Sequence, residues 1–279
     1  MVLVSLIFAI QDGLSRQLAS TYSPLLITMI RYWFFAMFCT VLVMRMPGGL
    51  ARGLRARRPV LQVARGLLLV GEILLMVAAF VQLGLVNTHA IFTIYPLLIA
   101  ALSGPVLGER VGWRRWLAIG AGFCGILIVL QPGSGLFSGA ALLPLGAALM
   151  FATYGLLTRL VSRDDPAVVS FFWTGISGAV AITAIGIWHW QPLAPGDWLW
   201  MAALCVTSAL SHFLLIRAYE MAPASVLQPF AYTQLVFASA IGVALFGDRL
   251  APHVVIGGAI AAGAGLFTLW RARVAAPRS

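Results

Sequence analysis

Apolar runs long enough to cross a bilayer follow one another along nearly the whole chain, with only short polar breaks between them. Each span of a hydrocarbon core needs about 20 apolar residues per helix, because every backbone polar group must be satisfied inside the segment. The runs predict an all-α integral membrane protein of ten transmembrane helices, at about 2–19, 24–44, 60–83, 88–107, 113–130, 140–160, 166–188, 197–218, 225–246 and 251–271. Charged residues make up 9% of the chain and hydrophobic residues 61%, whereas a soluble domain carries about a quarter charged residues. The run from Val2 has no basic flank and is interrupted by Gln11 and Asp12, so it reads as the first span and not as a cleavable signal. The connections are too short to hold a soluble domain.

All 18 basic residues are arginines. Without lysine there is no P-loop to hydrolyse a nucleotide and no Schiff base to hold a retinal or pyridoxal group, so an energy source has to be an ion gradient or the solute's own gradient. No cofactor is expected, and Cys39, Cys124 and Cys205 have no metal-ligand spacing. With the N-terminus in the cytoplasm, the inside connections collect Arg45, Arg52, Arg55, Arg57, Arg58, Arg110, Arg114, Arg115, Arg159, Arg163, Arg217, Arg271, Arg273 and Arg278, against Arg16 and Arg249 outside. This bias predicts both termini inside, in a bacterial inner membrane. The net charge of +10 then faces anionic lipid headgroups and calls for no nucleic acid.

Two triplets end apolar runs, Gly108-Glu109-Arg110 after the fourth span and Gly247-Asp248-Arg249 after the ninth. Other segments repeat in the same order: Phe8-Ala9 and Leu14-Ser15-Arg16 with Phe151-Ala152 and Leu157-Thr158-Arg159, and Ala118 to Gly122 with Ala259 to Gly263. Five spans is an odd number, so duplicating a five-helix unit inverts the copy about an axis in the membrane plane. The expected units are residues 1–135 and 136–279 of one membrane domain. The triplets themselves read as structural clamps at helix ends.

Pro96, the turn Leu107-Gly108-Glu109-Arg110 and the glycines at 120, 122 and 125, with Ala222-Pro223-Ala224-Ser225, Tyr232, Phe246-Gly247-Asp248-Arg249 and Gly263, make the chain resemble the EamA branch of the drug/metabolite transporter superfamily. The resemblance covers nearly the whole chain. It implies an inner-membrane carrier, usually an exporter of amino acids, metabolites or toxic compounds, with its substrate cavity between two five-helix halves. Within that branch the general character of the cavity is most similar to the aromatic amino acid exporters. Two departures stand out: aspartate at 248 where glutamate is commoner, and a first span that starts almost at once, as if an N-terminal tail were missing.

Polar residues inside spans are expensive and mark water-filled paths. They gather in the third, fourth, eighth and ninth spans, which pair under the repeat. Ser208, His212 and Tyr219 share one helix face, His89 aligns with Gln228, and Gln11 aligns with Tyr154. The candidate substrate-binding residues are Gln11, Glu72, His89, Tyr95, Tyr154, Ser208, His212, Tyr219, Gln228 and Tyr232. Glu72 is the candidate proton-coupling group, with Arg31 as an alternative partner for it. Asp12 and Arg16, four residues apart, allow a local ion pair, and Asp164-Asp165 reads as an isolated surface pair. No constellation of an enzyme is present. A passive facilitator or channel is the alternative to a carrier. A mostly apolar cavity with Gln, His and Tyr suits aromatic or hydrophobic amino acids, related metabolites and lipophilic cations, handled by a monomer in the lipid bilayer.

Overall fold

Eleven α-helices and no strand are found among the residues that the computed structural model describes. These are residues 1–108, 112–131, 139–222 and 224–275, without the side chains of 224–226, 228–229, 268–269 and 271–275. The helices are α1 (Val2–Ala19), α2 (Pro24–Met44), α3 (Gly49–Leu54), α4 (Pro59–Phe92), α5 (Tyr95–Leu107), α6 (Trp113–Leu130), α7 (Leu142–Val161), α8 (Ala167–Gly186), α9 (Asp197–Met221), α10 (Ala224–Phe246) and α11 (Pro252–Ala275). Seven helical stretches are long and apolar enough to cross a membrane, and three shorter apolar ones are Tyr95–Leu107, Phe230–Phe246 and Pro252–Phe267.

The expected count of ten is therefore not reproduced helix by helix, for two local reasons. A short helix, α3, forms in the connection after α2, where none was expected. The run read as a fourth span at 88–107 is in two pieces. Its first piece is the end of α4, which breaks at Gly84 (φ 76°, ψ 173°) and resumes over 85–92. Pro96 then sits in the first turn of α5 and has no N–H to continue the preceding helix. The chain restarts at Tyr95 after Thr93 and Ile94, so the limb 85–92 has a break at each end.

Helix ends follow local chemistry elsewhere. Ser23 caps α2 by accepting the Leu25 amide at 3.3 Å, with Pro24 at the first turn. Gly108 and Gly247, the glycines of the two triplets, both take a positive φ, 75° and 65°, as residues leaving a helix commonly do. Glu109 and Arg110 lie outside the described residues.

Around the centre, α1 packs against α9 and α10, α7 against α4 and α5, and α2 against α8 and α9. The α6–α11 pair is the closest in backbone terms. A Cβ placed on Gly257 would stand 2.4 Å from the Gly125 carbonyl oxygen, and one on Gly125 would stand 2.7 Å from that of Gly257. Lipid offers no hydrophobic drive between helices, so such small residues let dispersion contacts hold the pair. Gly257, Ala261 and Gly265 recur every four residues along α11, and the last receives the ring of Tyr232 from α10 and not the α6 backbone. The tryptophans at 113, 116, 188, 190, 198 and 200 are all exposed, as interfacial anchors are.

Gly257→Val forces α6 and α11 apart and should destabilise the fold by about 1–3 kcal/mol. Gly263→Val, where nothing lies within 4 Å of the added carbon, should leave the unfolding midpoint in detergent nearly unchanged. Equal behaviour of the two variants in a thermal unfolding assay would contradict the tight α6–α11 contact.

Candidate functional site

A narrow central cavity, with room for about one water (about 20 Å³), lies between α1, α2, α4, α7, α9 and α10. Its walls are aromatic and aliphatic, with Phe8, Phe80, Phe92 and Phe151 beside Ile73, Met76 and Val77. The polar groups that reach it are Gln11, Asp12, Ser15, Arg31, Glu72, His212 and Gln234.

Two of these ionisable groups have no ion-pair partner of opposite sign among the described residues. Arg31 is 2% exposed, its Nη2 lies 3.4 Å from His212 Nε2, and its Nε has no hydrogen-bond partner among the described residues. Glu72 is 6% exposed and forms no hydrogen bond or salt bridge among the described residues. The Arg31–Glu72 pairing allowed by the sequence is thus not formed as a direct ion pair, although both residues face the same cavity.

Asp12 is held differently. Its carboxylate accepts the Gln234 amide at 3.1 Å and the Gln11 amide at 3.3 Å, and Oδ2 lies 3.0 Å from His89 Nε2. Ser211 donates to Gln11 Oε1 at 3.1 Å, and His89 stacks on Phe80 with ring centroids 5.4 Å apart. One carboxylate therefore ties α1 to α4 and α10.

The expected Asp12–Arg16 pair is not formed. Arg16 instead donates to both carboxylate oxygens of Asp248, at 2.8 and 2.7 Å, and its guanidinium lies 4.4 Å above the Phe246 ring. A long arginine near a helix end reaches outward toward water, away from the deeper Asp12 and toward the turn after α10. Asp248 also accepts the amides of Leu85 and Val86, at 2.8 and 3.2 Å. It thereby caps the second limb of α4. A Cβ on Gly84 would come 2.9 Å from its Oδ1, so the glycine meets both the unusual φ and the close carboxylate. The second triplet is a clamp joining α1, the α4 break and the end of α10. Near the same end, Tyr22 donates to Asp197 at 2.7 Å and accepts the Ala194 amide at 2.9 Å. That bond to Asp197 raises the Tyr22 pKa above the usual phenol value.

The opposite end is closed by another network. Gln62 donates to Asp165 and Ser170, both at 3.0 Å, Arg65 donates to Thr158 at 2.9 Å and to Gln62, and Arg58 pairs with Asp164 at 2.9 Å. Asp165 is only 4% exposed, so the surface-pair reading of Asp164-Asp165 is corrected. Tertiary contacts with α4 bury the second aspartate as an acceptor.

Of the residues proposed from sequence, Gln11, Glu72 and His212 line the cavity. His89 stands behind Asp12 and reaches the cavity only through it. Tyr95 packs on Phe92 and Phe151, Tyr154 lies under the Arg65 guanidinium, and Ser208 is fully buried. Tyr219 and Tyr232 are also buried, the latter against Gly265. None of these five lines the cavity, so the expected α9 stripe contributes His212 alone. A shared helix face about three turns long does not guarantee a shared neighbour when α9 packs against α1, α2 and α7. The side chain of Gln228 lies outside the described residues. Asp12, Ser15, Arg31 and Gln234 were missed as lining residues. Their signal was a polar or charged group inside an apolar run, obscured for Asp12 by the plausible i,i+4 partner.

The EamA-like transporter family model matches this chain twice, over residues 1–131 and 138–270. The chain belongs to the EamA-like transporter family. That family and the named relatives below are transporters and not enzymes. Among its relatives, the riboflavin transporter of Vibrio cholerae is 35% identical over 154 residues, 54% of this chain and 51% of that protein; the chain thus spans about half the length of that relative. The S-adenosylmethionine uptake transporter of Rickettsia prowazekii is 22% identical over 262 residues, 94% of this chain and 88% of that protein. A solved crystal structure shares the fold at 19% identity and a TM-score of 0.68, over 98% of this chain and 99% of that one.

In this EamA-like chain Asp248 serves two sets of donors, and its removal leaves both without an acceptor. Asp248→Ala should lower the unfolding midpoint more than Arg16→Met, because the unpaired Leu85 and Val86 amides cost about 1–3 kcal/mol each. Thermal unfolding of the two purified variants measures the difference. Equal shifts would limit the aspartate's role to the ion pair.

Proposed function

We propose that the protein is a secondary transporter for small metabolites that carry opposite charges on an apolar or aromatic body, of the α-amino acid kind. Arg31 and Glu72, both buried and both without an ion-pair partner, reach one cavity, and this observation carries the reading. A lone charge inside a membrane costs a few kcal/mol. A solute carboxylate beside Arg31 and a solute ammonium beside Glu72 would offset both costs at once. Phe8, Phe80, Phe92 and Phe151 would enclose the remaining body once the helices part beyond the narrow cavity seen here. An amino acid fits this pattern, and so does S-adenosylmethionine, which carries an α-amino acid group, a sulfonium and an aromatic base.

Movement would follow alternating access between two inverted repeats, residues 1–135 and 136–279, in an inner membrane with both termini cytoplasmic. The support is the pairing of neighbours: α1 on α9 and α10 is matched by α7 on α4 and α5, while α2 meets α8 and α6 meets α11. This is the pattern that a two-fold relation between ten spans produces, with α4 supplying the third span and the start of the fourth. A secondary carrier is reversible, so the solute and ion gradients set whether it exports amino acids, as the sequence resemblance implies, or takes a solute up.

A second reading, transport of a flavin, is favoured by the four phenylalanines and by the name of the Vibrio cholerae relative. Counterflow in liposomes with labelled phenylalanine, tryptophan, S-adenosylmethionine and riboflavin separates the two. Stimulation of labelled uptake by trapped solute is expected for the zwitterions. Arg31→Gln should weaken their apparent affinity by about 10- to 100-fold, the worth of a charged hydrogen bond, and leave any riboflavin uptake intact. Stimulation by riboflavin alone would select the flavin reading, and uptake without trans-stimulation would indicate a channel.

A further inference from the structure

The contact between His89 and Asp12 contains a proton that can be counted from geometry. His89 Nδ1 lies 3.0 Å from the Leu85 carbonyl oxygen, and Nε2 lies 3.0 Å from Asp12 Oδ2. A carbonyl oxygen only accepts, so Nδ1 carries a hydrogen. The second contact needs a hydrogen too. It sits either on Nε2, giving an imidazolium beside a carboxylate, or on Oδ2, giving a neutral pair. Both arrangements hold one proton more than an Nδ1-protonated imidazole facing a carboxylate. In that deprotonated arrangement two lone pairs would oppose each other across the 3.0 Å contact, and Nε2 would be left to the Gln234 amide, 3.5 Å away.

We propose that Asp12 and His89 together form a binding site for one proton, and that its release frees the His89 end of the 85–92 limb of α4 from α1, while Asp248 keeps the limb's start tied to Arg16. The proton leaves to water through the cavity, which Asp12 lines. The limb is built to respond. It is bounded by the Gly84 break and by the interruption at Thr93 and Ile94, it is capped at its start by Asp248, and His89 is its side-chain tie to α1. Gln234 of α10 and Gln11 of α1 hold the carboxylate from the other sides. The charged and titratable groups around the pair are Glu72 of α4, Arg31 of α2 and His212 of α9 across the cavity, with Phe80 and Phe92 against the imidazole. Arg16 is committed to Asp248. No arginine forms a salt bridge with Asp12 among the described residues, so the pair's charge is set by its own proton. The coupling role expected of Glu72 passes to this pair, and Glu72 is left to face the solute.

The proton site stands without any transported solute, whereas its coupling to transport rests on the carrier reading above. Two measurements keep them apart. In ligand-free protein in nanodiscs, the ¹⁵N shifts of His89, assigned with His89→Gln, should report loss of one ring-associated proton as pH is raised from about 4 to 10. The same step should move or vanish in Asp12→Asn, and a nitroxide at position 87 should gain mobility through it. An imidazole that titrates identically in Asp12→Asn, or a nitroxide indifferent to the step, would overturn the proposal. In liposomes, coupling of one proton per solute lets a unit of pH difference drive about tenfold accumulation. His89→Gln should abolish that accumulation and keep counterflow of the same labelled solute. Undiminished accumulation in this variant would overturn the coupling. An intact titration in a protein that moves none of the four labelled solutes would support the proton site and sink the carrier reading instead.

Discussion

A charge taken into the membrane interior must be answered by a partner, by hydrogen bonds or by a proton, and the core of this protein is organised by that demand. Asp248 answers Arg16 and two backbone amides together. Asp12 is answered by two amide side chains and an imidazole. Arg65 is answered by a hydroxyl and an amide that relays to Asp165. Each solution joins helices that are distant in sequence, so the charges act as cross-links in a medium where apolar packing alone does not tell one neighbour from another.

Broken helices follow from the same economy. The limb 85–92 exposes amides at its start, which would be costly in lipid, and Asp248 takes them up. Gly84 and Pro96 place the breaks, and the clamp makes the first of them tolerable. The result is a short segment that carries His89 against Asp12 at the edge of the cavity. A continuous helix could not turn there without straining many bonds, whereas a segment bounded by two breaks can move as a unit.

Arg31 and Glu72 are the exceptions, since neither is answered by an ion pair within the described protein. Their common cavity makes the omission a property of the site. Unpaired groups of opposite sign discriminate by what they would lose: a solute lacking either charge leaves one of them bare, and that penalty is larger than the difference between similar apolar bodies. In the proposed carrier the phenylalanine walls would set size and shape, and Arg31 and Glu72 would set chemistry.

How much was readable in advance depended on the range of the interaction. Apolar runs of membrane length, arginine bias, the paired triplets and the polar content of particular spans are local or statistical features. They determined an all-helical membrane protein of this transporter family, and they singled out Gln11, Glu72 and His212 for the cavity. The i,i+4 spacing of Asp12 and Arg16 misled, because spacing along one helix says nothing of acceptors on another. Asp248 lies more than two hundred residues from Arg16 in the chain. Likewise Ser208, His212 and Tyr219 share a face, yet only His212 reaches the cavity, since crossing helices change what a face meets every turn or two. The sequence by itself determined the solvent, the secondary structure and the residue types that had to be satisfied. Tertiary structure alone decided which charge meets which, and which two were left facing a common space, because those choices depend on how helices cross and not on their periodicity.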